Sequence, residues 1–267
     1  NRGPGLELSA VSAVLALAFL AGPGVGRAAD LGEPLFFFQG LQDQDAPDVA
    51  KAVGLNAVQY RLDLDAPRHL ADVREDLADI GRAGLKIVIQ LPTTFGLNQR
   101  LDLASRSYWQ QLEAYVAAVV PALRDTPGLA AWQTDDYLER AIRYDDGDFV
   151  GFLQERYGSL RALNEAWGTG FYDWSQLTRE VALAADDSQP WGVGRPSVDV
   201  ADWMAGVFGA VMARWAAAIR RFDPSTPLMT GRISLYRSLA CIPAEYDIVV
   251  PAIRPDVWED DPVAGNV

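Results

Sequence analysis

Short apolar runs alternate along the chain with longer amphipathic stretches. Most of these runs are apolar on both faces, which is typical of strands in a parallel sheet covered by helices. The runs predict six strands, at residues 35–39, 57–62, 86–91, 129–134, 227–233 and 246–253. Between them, hydrophobic residues recur at spacings of three and four, which predicts helices at 67–83, 107–124 and 199–222. The pattern indicates an α/β fold, and right-handed crossovers leave a doubly wound sheet or a barrel.

The alternation stops after the fourth predicted strand. Residues 137–198 form an insertion rich in tryptophan and tyrosine, in which 149–157 and 160–167 are predicted as short helices. Gly158 and Gly168 follow these helices directly and are expected to end them. The sequence has no Gly-x-Gly-x-x-Gly motif after its first strand and no Walker loop. The usual nucleotide-binding motifs are therefore excluded.

The N-terminal residues 1–29 have the pattern of an export signal. The apolar run at 10–21 has 12 residues, which is short for a membrane span. Gly22-Pro23-Gly24 interrupts the run, and Arg27-Ala28-Ala29 resembles a cleavage site. An uncleaved anchor and a buried helix are the alternatives. We expect a secreted or periplasmic domain at 30–267, with membrane contact only through the signal segment.

Composition narrows the possible functions. The chain has 267 residues, 49% of them hydrophobic, which is enough for a large buried core. Its net charge of -13 argues against a nucleic-acid partner, which would need a basic surface. The single cysteine, Cys241, excludes an internal disulfide and a cysteine-rich zinc site. The single histidine, His69, is expected at a helix start rather than in a catalytic triad. The sequence predicts neither a metal nor a cofactor.

Acidic side chains follow the fourth predicted strand directly. The apolar run at 129–131 gives way to Trp132, and then to Asp135, Asp136 and Glu139. A carboxyl group held against aromatic rings can have a raised pKa and serve as a proton donor. This stretch is therefore the candidate for general-acid chemistry. The alternative is a polar loop in which Asp135 and Asp136 bind backbone amides.

Residues 148–177 contain a motif that resembles the family-42 glycoside hydrolases, which are β-galactosidases with a TIM-barrel catalytic domain. The motif consists of Tyr157-Gly158, then Leu163-Asn164-Glu165-Ala166-Trp167-Gly168, then Asp173-Trp174. Its flanks also agree. The segment 127–133 resembles the approach to the family's acid/base strand. The segment 196–227 resembles its next helix and strand, with Asp202, Arg220-Arg221 and Phe222-Asp223-Pro224. The resemblance extends over roughly residues 55–255.

The resemblance implies a (β/α)8 barrel, of which this chain has about six of the eight strands. In the family the fourth strand ends in Asp-Asn-Glu, and its Glu is the general acid/base. This chain has Asp135-Asp136-Tyr137 instead, so the acid motif diverges. The family's nucleophile comes from the seventh strand. Since 14 residues after the sixth strand cannot form two more βα units, we expect an incomplete barrel or a fragment.

The resemblance also defines the candidate site at the carboxyl ends of the strands. Asp136 and Glu139 are the acid/base candidates, and the expected partner is a carbohydrate. Five residues are candidates for substrate binding: Arg61, Trp132, Asp135, Tyr172 and Trp174. Aromatic rings suit the apolar faces of sugars. The predicted function is an exported, retaining β-galactosidase-like hydrolase. An inactive carbohydrate-binding or structural barrel, and an unrelated α/β enzyme similar only in the insertion, are the alternatives.

Overall fold

A computed structural model describes residues 46–52, 54–92, 102–134, 141–186, 194–234 and 242–252. Several predictions from sequence lie outside these ranges. They are the signal segment, the strand at 35–39, and the candidate site residues Asp135, Asp136 and Glu139. The strands and helices that lead to the candidate site are described.

Five parallel strands form one sheet in the part of the chain that the structure describes. They are β1 (Ala57–Arg61), β2 (Lys86–Gln90), β3 (Leu129–Gln133), β4 (Leu228–Ser234) and β5 (Ile248–Ala252). The strands lie side by side in chain order, and every neighbouring pair is parallel. A doubly wound sheet reverses its strand order at a switch point, whereas a barrel does not. Among the described strands, the unbroken order favours the barrel of the two architectures that the sequence allowed.

Seven α-helices connect or extend the sheet within the described residues. They are α1 (Ala46–Ala52), α2 (Leu70–Arg82), α3 (Arg106–Leu123), α4 (Asp146–Tyr157), α5 (Leu160–Trp167), α6 (Arg179–Asp186) and α7 (Arg195–Arg220). Short 3₁₀ helices occur at Ala66–Arg68 and Trp174–Gln176. In this part of the chain no helix is both long and apolar enough to cross a membrane. Helix α6 and the first four residues of α7 were not predicted.

The two faces of the sheet are buried in different ways. Outward-facing strand residues such as Ile87, Ile89 and Trp132 pack with helices α2, α3 and α7 in the main hydrophobic core. Smaller residues on the other face, including Ala131 and Val88, form a second apolar cluster. Successive side chains of a strand point to opposite faces, so each strand contributes to both layers. This explains why the sequence showed apolar runs without alternation.

Helix α2 approaches the segment before β3 closely at Gly81. A Cβ atom at Gly81 would lie 2.9 Å from the carbonyl oxygen of Pro127, whereas one at Gly206, in α7, would meet nothing within 4 Å. We expect Gly206→Ala to stabilise the protein by up to about 1 kcal/mol, because alanine favours helices. Gly81→Ala is expected to destabilise it by about 1–3 kcal/mol through overpacking. Urea unfolding of the two variants measures the difference, and effects of the same sign would contradict it.

Candidate functional site

A row of polar residues crosses the carboxyl ends of three neighbouring strands. Arg61 pairs in register with Gln90, and Gln90 pairs with Gln133. Gln90 and Gln133 are buried, whereas Arg61 is exposed. Gln133, the last residue of this row, precedes Asp135 by two positions in the sequence. Arg61 therefore lies at the edge of the sheet to which β3 delivers the acidic segment, and its role in substrate binding stays a prediction.

A hydrogen-bonded network holds the end of β3 from inside the barrel. Gln59 Nε2 donates to Gln133 Oε1, and Gln133 Nε2 donates to the carbonyl oxygen of Thr230 at 3.3 Å. The backbone N–H of Gly231 donates to Thr134 Oγ1 at 3.1 Å. Gln59, Gln133 and Thr134 are almost completely buried, with exposed fractions of 3%, 1% and 1%. Sequence reasoning missed this network, although a glutamine in each of three apolar strands was a visible signal.

The structure corrects the prediction for Trp132. Its side chain is fully buried in the core between the sheet and the helices. Its Nε1 donates to Asp223 Oδ2 at 2.8 Å. Because Gln133 points into the barrel, the preceding side chain points outward. Trp132 therefore cannot contact a substrate at the strand ends, and the prediction of a binding role was wrong.

The other two aromatic candidates lie on the insertion. Tyr172 is 85% exposed, and its backbone N–H donates to Gln176 Oε1 at 2.8 Å. Trp174 is half-buried against the insertion's own hydrophobic cluster. Asp173 and Gln176 form a capping box around the 3₁₀ helix that contains Trp174. Tyr172 thus presents an open ring on a well-anchored turn, and the binding roles of both aromatic residues stay predictions.

The asparagine of the family-like motif organises the turn that leads to Tyr172. Asn164 Oδ1 accepts hydrogen bonds from Thr169 Oγ1 and from the backbone N–H of Phe171, both at 2.9 Å. Its Nδ2 donates to the carbonyl oxygen of Phe171 at 2.7 Å. Gly168 ends helix α5 with φ 70°, a left-handed conformation that favours glycine. This half of the motif therefore shapes the loop that leads to Tyr172.

The tryptophan of the motif binds a buried carboxylate on α7. Trp167 Nε1 donates to Asp199 Oδ2 at 2.8 Å, and the hydroxyl of Tyr157 donates to the same oxygen. Asp199 Oδ1 lies 3.3 Å from both Arg156 and Arg195, in charge contact without hydrogen-bond geometry. Burial raises the pKa of Tyr157, so its hydroxyl remains a donor. This cluster joins α4 and α5 to α7.

The segment after β1 is also anchored near the strand ends. The hydroxyl of Tyr115, on α3, donates to the carbonyl oxygen of Asp63 at 2.8 Å. Burial raises the pKa of Tyr115, which keeps this donor protonated. Asp65, slightly farther along, forms an exposed ion pair with Arg68. Within the described residues, no group of three or more His, Cys, Asp or Glu side chains is arranged to hold a metal ion.

Comparison with known proteins connects this architecture to one family. Residues 90–181 match the model of glycoside hydrolase family 42, described as β-galactosidase. The matched segment contains β3, the insertion motif and the acidic stretch between them. Over this part of its length the chain is similar to the β-galactosidases of glycoside hydrolase family 42.

Curated relatives show the same similarity. β-Galactosidase BgaH of Haloferax lucentense is 30% identical over 138 residues, which are 49% of this chain and 20% of that protein. A β-galactosidase of Thermus thermophilus is 28% identical over 141 residues, again 49% of this chain and 20% of that protein. The β-galactosidase-like chain thus spans about a fifth of the length of these relatives.

Solved structures confirm the barrel type of the fold. The β-galactosidase of Halorubrum lacusprofundi matches with a TM-score of 0.55 and 17% identity, over 85% of this chain and 41% of that one. The enzyme from Bacillus circulans sp. alkalophilus matches with a TM-score of 0.54 and 17% identity, over 79% and 37%. The predicted fold class, a partial α/β barrel, is therefore confirmed.

Proposed function

We propose that this family-42-like chain forms part of an exported, retaining β-galactosidase-type hydrolase that binds a β-glycoside at the carboxyl ends of its strands. The observation that carries the proposal is the polar row of Arg61, Gln90 and Gln133 at the strand ends. Its last member stands two residues before Asp135. The typical export-signal pattern at 1–29 supports the location.

Retaining glycosidases need a proton donor and a nucleophile about 5 Å apart. Asp136 and Glu139 are the proposed donors, and Asp135 is proposed to bind substrate. The resemblance assigns the nucleophile to a seventh strand, so our assignment concerns only the donor and the binding residues. Arg61 is proposed to contact the sugar, with Tyr172 and Trp174 as aromatic platforms. The five described strands supply the rigid base on which barrel sites are built.

A second candidate function is a carbohydrate-binding or structural barrel without catalysis. The observation that favours it is Tyr137, which stands where the family has its acid/base Glu. Asp136 is one methylene shorter than a glutamate. If the backbone keeps the same position, its carboxyl group is displaced by more than about 1 Å. A misplacement of that size can reduce a rate about 100-fold.

Hydrolysis of two β-galactosides by the full-length protein tests the proposal. One substrate has an activated aryl leaving group and the other an alkyl group that needs protonation to depart. If Asp136 is the acid, Asp136→Asn is expected to lower kcat for the alkyl galactoside by about 10²–10⁴-fold. The loss for the activated substrate should be much smaller. Glu139→Gln is measured beside it, because its longer side chain is the other candidate.

Glu155→Gln is the matched control, since Glu155 is exposed on helix α4. It is expected to leave both rates unchanged. If Asp136→Asn and Glu139→Gln both hydrolyse the substrates at the wild-type rate, neither residue is the general acid. Sugar binding by a wild-type protein that hydrolyses neither substrate would favour the non-catalytic barrel.

A further inference from the structure

Helix α7 belongs to two hydrophobic clusters that meet near its middle. Its first half, with Val200 and Trp203, packs into the cluster of the insertion. Its second half, with Phe208 and Trp215, packs into the main core beside the sheet. Val207 is partly buried against both clusters. The helix therefore passes from one packed unit to the other between Trp203 and Phe208.

Hydrogen bonds fasten each half of α7 to its own unit. In the first half, Asp199 Oδ2 accepts from Trp167 Nε1 at 2.8 Å and from the hydroxyl of Tyr157, both on the insertion. In the second half, the carbonyl oxygen of Met212 accepts from the hydroxyl of Tyr246 at 3.4 Å. A displacement of the insertion would therefore carry the first half of α7 with it, while the second half stays with the sheet.

Gly206 lies on the exposed side of α7 between these two halves. Glycine inside a helix is less favourable than alanine, so its presence needs a reason. Close packing provides the reason at Gly81, but a Cβ atom at Gly206 would meet nothing within 4 Å. Packing therefore does not explain Gly206. What glycine supplies at this point is a backbone that bends more easily.

The other connection between the insertion and the sheet passes the same junction. Ile142 is buried in the main core and Phe149 in the insertion cluster, and residues 143–145 between them lie outside any helix. The ring of Tyr144 packs against both clusters and meets Trp203 edge-to-face, with the ring centroids 5.6 Å apart. Both connections thus cross at one place, where an axis of rotation can run.

We infer that α7 bends at Gly206 and that the insertion moves as one body relative to the sheet. Helix α7 begins at Arg195, 11 residues before Gly206, which corresponds to about 16 Å along the helix axis. A bend of about 20° would displace that end by about 5–6 Å. The exposed Tyr172 lies on the same insertion and moves with it. This motion is independent of the proposed glycosidase function, and its test needs no hydrolysis.

Distances between two spin labels on the full-length chain measure the motion. The single cysteine, Cys241, is replaced by serine. One label is attached through Arg161→Cys on the insertion and the other through Gln111→Cys on α3, both at exposed positions. A reference pair at Glu75→Cys and Glu245→Cys lies within the sheet and its helices. We expect the first pair to show a distance distribution broader by about 5 Å than that of the reference pair.

Gly206→Ala is expected to reduce the population of the bent form about fivefold, because alanine favours the regular helix. The distance distribution between the insertion and α3 should narrow accordingly, and that of the reference pair should stay the same. Gly151→Ala is the matched control. Gly151 also lies inside a helix, α4, and a Cβ atom there would meet nothing within 4 Å, but it is not at the junction. It should leave both distributions unchanged.

Three results would overturn the hinge at Gly206. The first is equal widths for the two label pairs in the protein with glycine at 206, which would mean that the insertion does not move. The second is a broad distribution that Gly206→Ala leaves unchanged, since the bend would then lie elsewhere. The third is equal narrowing by Gly206→Ala and Gly151→Ala, which would indicate general stiffening of helices. Narrowing by Gly206→Ala alone supports the hinge.

Discussion

Replacing Asp199 by alanine is expected to destabilise the protein by about 3–5 kcal/mol. The carboxylate of Asp199 is completely buried, and it accepts hydrogen bonds from Trp167 and Tyr157. Its other oxygen faces Arg156 and Arg195 at 3.3 Å. Removal of the carboxylate leaves these partly buried donors and cations without their common partner, and unpaired buried groups are strongly unfavourable.

Asp202→Ala provides a matched control on the same helix. Asp202 pairs with Arg156 at 2.8 Å, but its side chain is 49% exposed. An exposed ion pair contributes about 0–1 kcal/mol, so this variant should change the free energy of unfolding by less than about 1 kcal/mol. Urea unfolding compares the two variants. Equal losses would show that burial of Asp199 does not determine its contribution.

Asp199→Ala is also expected to loosen one part of the protein more than the rest. Asp199 joins α7 to α4 and α5, which belong to the insertion. Amide exchange at 146–168 should therefore accelerate in Asp199→Ala more than exchange in β1 and β2. A uniform acceleration over the whole protein would instead indicate that the insertion and the sheet unfold as one unit.

The motif that resembles family 42 is mainly structural. Asn164 shapes the turn before Tyr172, and Trp167 binds Asp199. Two residues of the flanking match also have structural roles. Arg220 binds Asp247 at 2.7 Å, and Asp223 binds Trp132. A match over these residues therefore reflects the fold, and it gives no evidence that the acid itself has been kept.

The strands were predictable because each is marked by a local run of apolar residues. All five described strands were predicted within about two residues, since each is a short apolar run between polar turns. Helix α6 was missed because it has only eight residues, and three of its five apolar side chains are alanines. Such a helix is stable through tertiary contacts, here of Ala182 in the insertion core, and these are not visible in a pattern.

The sequence predicted where β3 ends but not which way its side chains point. The acidic segment after β3 was found from composition, whereas the direction of Trp132 could not be found. A run that is apolar on both faces does not indicate which side chains point inward. Asp199 illustrates the same limit. The predicted helix began at Asp199, since aspartate often caps the start of a helix. Helix α7 in fact begins at Arg195, with Pro196 in its first turn, and Asp199 is buried inside.

Asp223 is expected to make stability depend on pH in the acid range. Its side chain is 2% exposed. Its oxygens accept bonds from Trp132 Nε1 at 2.8 Å, from the N–H of Thr226 at 3.0 Å, and from the N–H and hydroxyl of Ser225, both at 3.1 Å. Burial raises the pKa of this carboxyl, but the hydrogen bonds from Thr226, Trp132 and Ser225 outweigh burial and lower it to about 2.

A pKa that is lower in the folded protein means that the ionised form favours folding. The contribution is complete above the unfolded value of about 4, and it is lost as the pH falls through about 2. A shift of this size corresponds to about 2 kcal/mol at neutral pH, of which about half is gone near pH 3. Asp223→Asn removes the charge, so the stability difference between wild type and variant should be about 1 kcal/mol smaller at pH 3 than at pH 7.

Urea unfolding at the two pH values measures this change, with Asp125→Asn as a control. The side chain of Asp125 is 89% exposed, and its replacement should matter by less than about 0.5 kcal/mol at either pH. A pH-independent difference for Asp223→Asn would show that its carboxylate is not preferentially stabilised.

Trp132→Phe separates the indole bond from the backbone bonds, because it removes one donor and keeps a ring in the core. It should cost about 1–3 kcal/mol at pH 7 and less in the presence of Asp223→Asn, since the two side chains share one hydrogen bond.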